Sequence, residues 1–480
     1  MNEILKLTMT ELIEKLKTRE LRSVDVTKAC LERIKARNEK INAYITICEE
    51  EALKQAEIAD QRLDDGEAGL LEGVPLGIKD LFCTKGIKTT AASKMLAEFI
   101  PPYESTVTQK LLDEGAIFLG KLNMDQYAMG GSGETSFFGN TVNPIMEEKN
   151  LTAGGSSSGS AAALADFQCF GATGSDTGGS VRQPASFTNT VGFRPTYGRC
   201  SRFGMVAFAS SLDQAGFMAR SVADTALMFQ VASGHDEKDS TSANLPVENY
   251  FNELDGLDVK GLKIGLPAEY FVDGVDQKVK DIINAKVEQF KAAGAEIVEI
   301  SLPHTKYAVP TYYIVAPAEA AANLSRYDGM RYGLRVEGEN LNDTYAKSRS
   351  AGFGWEVKRR IMVGNYVLSS GYYDAYYTKA QKVRALIAQD FEKAFEQVDV
   401  IFAPTTPELP FELGGKISDP IAMYLCDIFT VSSALAGIPC ISVPAGHTAE
   451  GYPVGLQILG KAFDDKKVLQ AAKKAEDMNA

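Results

Sequence analysis

The stretch Thr106-Val107-Thr108-Gln109-Lys110-Leu111-Leu112-Asp113-Glu114-Gly115-Ala116-Ile117-Phe118-Leu119-Gly120 decides the fold class. Residues 106–114 read as a helix, Gly115 stops it, and 116–120 follow as an apolar strand. The same order returns downstream. A helix over 276–293 carries Val279, Ile283, Val287 and Phe290 at helical spacing, Gly294 ends it, and 295–302 read as a strand. Helix–glycine–strand alternation predicts an α/β protein with a large mixed or parallel sheet covered by helices.

Outward from that unit, residues 1–65 read as helical. Thr8-Met9-Thr10-Glu11 has capping-box spacing, with Leu12, Ile13 and Leu16 on one face. A second helix begins near Ser23 with Val24, Thr27, Leu31 and Ile34 in register, and Asp64-Asp65-Gly66 closes the region. Residues 236–260 are polar and charged, which suits a linker or a surface excursion. Strands on both sides look like parts of one sheet, so the expected organisation is a single domain: a helical segment 1–65 packed on a core 66–480, with an excursion at 236–260. Residues 372–395, opening Tyr372-Tyr373-Asp374-Ala375-Tyr376-Tyr377, read as a long helix whose tyrosines pack rather than stack bases.

Of 480 residues, 45% are hydrophobic, 24% charged and 9% aromatic, as in soluble globular proteins. No apolar run is long enough to span a bilayer, and Met1-Asn2-Glu3-Ile4-Leu5-Lys6 has no basic-then-apolar leader pattern; a cytoplasmic enzyme is expected. Fifty basic residues against 63 acidic ones give a net charge of −13. Only short basic clusters occur, such as Lys358-Arg359-Arg360, so any RNA is expected to be held by another subunit. Seven scattered cysteines without a Cys-x-x-Cys pair read as buried thiols, and three histidines without ligand spacing predict no metal site.

The chemistry is concentrated in Thr152-Ala153-Gly154-Gly155-Ser156-Ser157-Ser158-Gly159-Ser160 and Gly174-Ser175-Asp176-Thr177-Gly178-Gly179-Ser180-Val181-Arg182. A phosphate loop would need lysine after its last glycine, where Ser180 stands. A flexible Gly/Ser linker fits poorly between such closely flanking apolar segments. Glycines that present backbone amides to an oxyanion fit better. A serine nucleophile needs a base, and His235, His304 and His447 sit in loops or at strand ends. A buried lysine with a depressed pKa is the alternative. Lys79, in Gly73-Val74-Pro75-Leu76-Gly77-Ile78-Lys79-Asp80-Leu81-Phe82, is the lysine that stands out for its apolar frame.

These blocks, in this order, resemble the amidase signature family over nearly the whole chain. The resemblance implies the amidase signature fold, a large mixed central sheet with helices on both faces, and a Ser–Ser–Lys triad. The triad maps onto Ser180 as nucleophile, Ser156 as bridging serine after a cis peptide, and Lys79 as base, with the amides of Thr177, Gly178, Gly179 and Ser180 as the oxyanion hole. Within the family, the segments 121–132, 324–333 and 370–377 are similar to the glutamine-hydrolysing subunits of tRNA-dependent amidotransferases. That similarity implies a glutamine site made by Arg360, Asp427 and a tyrosine, Tyr312 being chosen and Tyr313 left open. A guanidinium suits the α-carboxylate and a carboxylate the α-ammonium. Gly133 departs from the pattern, which has threonine there.

The resemblance further implies a heterotrimer with subunits B and C and no cofactor in this chain. Ammonia would pass to a partner that uses ATP and Mg2+ to convert Glu-tRNA(Gln), and often Asp-tRNA(Asn), the whole complex acting as a C–N-forming ligase. The rivals are a stand-alone amidase for another carboxamide, which would need neither Arg360 nor Asp427, and a non-catalytic assembly protein, against which all three triad positions are filled.

Overall fold

A computed structural model describes residues 2–272, 274–416 and 419–479. Eleven strands among them form one sheet: β1 (Tyr44–Ile47), β2 (Pro75–Lys79), β3 (Ile117–Leu122), β4 (Gly171–Ser175), β5 (Val191–Arg194), β6 (Ala215–Ala219), β7 (Lys263–Pro267), β8 (Glu296–Ile300), β9 (Val400–Pro404), β10 (Cys440–His447) and β11 (Pro453–Gly460). Their order is β1-β3-β2-β4-β6-β5-β10-β11-β9-β7-β8. Two parallel runs, β3-β2-β4 and β9-β7-β8, are joined through antiparallel strands, so the sheet is mixed. Every residue of β2, β3, β4, β6, β9 and β11 is buried. Successive side chains point to opposite faces of a strand, so both faces of the central sheet are covered. One hydrophobic cluster runs from Leu5 to Ala475.

The helix–glycine–strand units lie close to their expected bounds: Thr106–Asp113 then β3, and Gln277–Ala292 then β8. The Thr8 capping box closes the first turn of the helix Met9–Lys17. Distant carboxylates finish the work at two N-termini. Asp224 accepts from the Met9 and Thr10 amides, and Asp60 from those of Ser23 and Val24. The first 65 residues are not purely helical, however. Tyr44–Ile47 is a strand, antiparallel to β3, because a short β-branched and aromatic run finds an open sheet edge there. The segment expected as one long helix over 372–395 is helical without a break from Tyr373 to Ala394, with a π-helical turn at Asp374–Thr378 ahead of Lys379–Ala394. No helix of the described residues is long and apolar enough to cross a membrane.

Strands β2 and β4 are parallel neighbours, so their C-terminal residues, Lys79 and Ser175, meet at one rim of the sheet. The loop after β4 carries Ser180, and the helix Ser158–Ala165, which precedes β4, brings Ser156 to the same rim. Ser160 Oγ donates to the Thr173 carbonyl at 2.8 Å and ties that helix to β4.

Candidate active site

Lys79 is fully buried at the end of β2. Its Nζ lies 2.8 Å from each of three hydroxyls, those of Ser156, Ser157 and Ser175. Burial depresses its pKa to about 7, against the opposing pull of Asp125, Asp176 and Asp213. A neutral amine has two N–H donors and one lone pair, so among three hydroxyls it donates to two and receives the proton of the third. That arrangement suits a base. Ser157 and Ser175 escaped the sequence reading, and nothing in their local context marks them; only the meeting of two strand ends does.

The Gly155–Ser156 peptide is cis. Around it, the Gly155 amide donates to Gln183 Oε1 at 2.8 Å, and the Ser156 carbonyl accepts from the Asp125 amide at 3.2 Å. Asp125 is itself buried and accepts hydrogen bonds from the Gly133 and Thr135 amides and the Thr135 hydroxyl. Gly133 has φ +71°, and a Cβ there would run into the Ser158 side chain, so glycine suits this close turn.

The loop from Asp176 to Arg182 is organised by one buried carboxylate. Asp176 accepts from the Gly179 amide at 2.9 Å, the Val181 amide at 3.2 Å and Arg182 at 2.9 Å, with Arg194 at 3.4 Å. Burial pushes its pKa up, but Arg182 and Arg194 outweigh that and hold it below the usual carboxylate value. The amides of Thr177, Gly178 and Ser180 hydrogen-bond to no described residue and stay available to a ligand. Gly179 differs from expectation, because its amide already has Asp176 as acceptor. Ser180 is 8% exposed, and its carbonyl accepts from the Ser157 amide at 3.1 Å, which locks the two serine loops together. Its hydroxyl makes no hydrogen bond among the described residues.

A cavity lined by Gly131, Ser132, Tyr313, Arg360, Tyr424 and Asp427 adjoins these loops. Arg360 is buried on the helix Trp355–Leu368, and its Nε donates to Glu356 Oε1 at 2.7 Å. Burial opposes its charge, and Glu356 more than offsets that, so its pKa lies above the usual value. Its other guanidinium nitrogens have no hydrogen-bond partner among the described residues. The i, i+4 spacing of Glu356 and Arg360 was the available sequence signal for this pair. The Asp427 carboxylate has no hydrogen-bond or ion-pair partner among the described residues, and burial raises its pKa to about 7 in spite of Arg360. The two tyrosines take different places. Tyr313 lines the cavity, stacked on Tyr424 with ring centroids 3.7 Å apart, whereas Tyr312 lies against Gly178.

The histidines stand apart from this site. His304 pairs with Asp390, His235 Nδ1 meets the Ser242 carbonyl, and His447 ends β10. Lys79 is not the one buried lysine, since Lys121 in β3 is equally enclosed.

The amidase family model matches residues 25–469. The chain belongs to the amidase family. Among amidase relatives, the A component of glutamyl-tRNA(Gln) amidotransferase from Pelagibacter ubique is 57% identical over 477 residues, covering 99% of this chain and 97% of that one. The protein of the same name from Hyphomonas neptunium is 55% identical over 480 residues, covering 99% and 98%. The crystal structure of the A component of glutamyl-tRNA(Gln) amidotransferase from Thermotoga maritima superposes with a TM-score of 0.83 at 37% identity, covering 99% of this chain and 95% of that one. The mixed, helix-covered sheet is thus the amidase fold, and the Gly/Ser blocks occupy its rim.

Proposed function

We propose that this chain is the glutaminase component of a tRNA-dependent amidotransferase, the A component of a glutamyl-tRNA(Gln) amidotransferase, with Ser180 as nucleophile, Ser156 as bridge and Lys79 as base. The observation that carries the chemistry is a buried amine, with a pKa near neutrality, 2.8 Å from the Ser156 hydroxyl. Neutral Lys79 takes the Ser156 proton, and Ser156 takes that of Ser180 once the Ser180 side chain turns toward it. Ser180 Oγ then bonds to the carboxamide carbon. The amides of Thr177, Gly178 and Ser180 receive the oxyanion, each such donor contributing roughly 3–4 kcal/mol. The relay runs backward to protonate the leaving nitrogen, ammonia departs, and water enters by the same route to release glutamate.

The substrate class follows from the adjoining cavity. A free amino acid presents a carboxylate and an ammonium, and the open side of Arg360 and the unpaired Asp427 are of the opposite charges. Tyr313 supplies the wall of that cavity, and Tyr312 supports the oxyanion loop through Gly178. The relatives' name, which is that of one subunit of a glutamyl-tRNA(Gln) amidotransferase, supports a tRNA-dependent complex. The reading extends this to subunits B and C as partners, tRNA held mainly by a partner that also uses ATP and Mg2+, and a cytoplasmic site of action. Ammonia release from glutamine, compared with release from aliphatic and peptide amides, tests the substrate. Glutamine should be preferred by at least about tenfold in kcat/KM. A preference for simple amides would make the chain a stand-alone amidase instead.

A further inference from the structure

Asp213, in the turn between Leu212 and β6, has no part in the relay, yet it hydrogen-bonds the loop that carries the nucleophile and its charge is felt at Lys79. One carboxylate oxygen accepts from the Thr177 hydroxyl at 2.8 Å, and the other from the Phe208 and Ala209 amides at 2.8 and 3.0 Å. Thr177 is buried, and its own amide is one of the free donors in the nucleophile loop. We propose that Asp213 is a positioning residue: through the Thr177 hydroxyl it aims the Thr177 amide at the oxyanion, and its charge acts on the Lys79 amine. This inference rests on the Ser180–Lys79 reading above.

Three observations support it. A hydroxyl fixed at one end leaves Thr177 little freedom to swing its peptide, and an oxyanion donor works only when it is held in place before the charge develops. Asp213 is one of three carboxylates that draw the Lys79 pKa upward. It also lines a second cavity with Arg202, Lys238 and Arg326, so a proton can reach it without unfolding. Burial raises its pKa to about 6, with Glu319 adding to the rise. The other charged or titratable groups around it are Asp176, Arg194, Arg202, Asp239 and Tyr312.

The test is kcat at saturating glutamine as a function of pH, for the full chain with the subunits that copurify with it. Asp213→Asn removes the charge and can still span both ends, its oxygen toward the Phe208 and Ala209 amides and its NH2 donating to the Thr177 hydroxyl. The acid limb should therefore move down by at least about 0.5 pH unit as Lys79 deprotonates more readily. Thr177→Val removes the link from the other side. It should cut kcat by about 10–100-fold with the limb in place and KM little changed, and Thr177→Ser should restore kcat. Unfolding midpoints accompany each variant, and the Thr177 pair carries the test if Asp213→Asn folds poorly. An unmoved limb in Asp213→Asn, or wild-type kcat in Thr177→Val, overturns the proposal. Residual turnover in Ser180→Ala would overturn the nucleophile assignment instead, a separate result.

Discussion

Two buried lysines show what suits an amine to serve as a base. Lys121 Nζ donates to the Phe82 carbonyl at 2.6 Å and lies near the Thr89 and Thr84 hydroxyls at 2.8 and 3.0 Å, with Asp80 at 3.9 Å. Burial lowers the Lys121 pKa as well, but the carbonyl and carboxylate there oppose the loss of its charge. Lys79 meets three hydroxyls at 2.8 Å, which accept or donate equally well; the Ser175 carbonyl is farther off at 3.4 Å, and no carboxylate of the described residues touches the amine. In the sequence both lysines sit in apolar frames, so the apolar frame of Lys79 was legible and its distinction from Lys121 was not. A folded pKa depressed from 10.5 to about 7 means that the folded chain binds fewer protons than the unfolded one between those values. Stability therefore rises with pH across that window, and below it the buried charge is a burden. Lys79→Met should abolish turnover and raise the unfolding midpoint more at pH 6 than at pH 10, as calorimetry at the two pH values would show. At the substrate end, Asp427→Asn and Arg360→Ala should raise the KM for glutamine about 10–100-fold with smaller effects on kcat, read from steady-state ammonia release.

Elements set the distances between these residues. Gly364 lies one turn after Arg360 on the helix Trp355–Leu368, and a Cβ there would strike the Pro317 carbonyl on the helix Ala308–Asn323. That close approach holds Arg360 beside Tyr313, which the second helix carries. Gly364→Leu should push the helices apart and raise KM for glutamine severalfold while the pH dependence of kcat stays unchanged; an unaltered KM would contradict this role. Helices and strands joined by a glycine stop were readable from periodicity, and so was the capping box at Thr8. Strand β1 was not. Four residues, Tyr44-Ile45-Thr46-Ile47, between two helices give too short a pattern, and only the open edge of β3 makes them a strand. Arg360 was placed by resemblance, whereas its anchor Glu356 needed the i, i+4 relation to be noticed.

Across the whole molecule, β1 ties the first 65 residues to the strand that follows the first helix–glycine unit. We expect residues 1–65 to be part of one folding unit with the rest. Deletion of residues 2–48 would strip the edge from β3 and expose the apolar surface that Leu5, Met9, Leu12 and Val26 now cover. Such a chain should be insoluble or inactive, and soluble expression with full glutaminase activity would refute the single-domain organisation. The net charge of −13 suits a protein that leaves tRNA to its partners. Copurification should therefore recover two unlike subunits, and glutamine hydrolysis should be coupled to them rather than to RNA bound by this chain.

The central claim is that an uncharged Lys79 drives the two-serine relay, and kcat at saturating glutamine as a function of pH tests it most directly. In the proposed complex the substrate ammonium faces Asp427 and lowers its pKa, which leaves Lys79 to set the acid limb of kcat. The limb should have its midpoint near pH 7, and Lys79→Ala should lose at least about 1000-fold in kcat. A kcat flat between about pH 5 and 9, or a Lys79→Ala variant within about tenfold of wild type, would contradict the account.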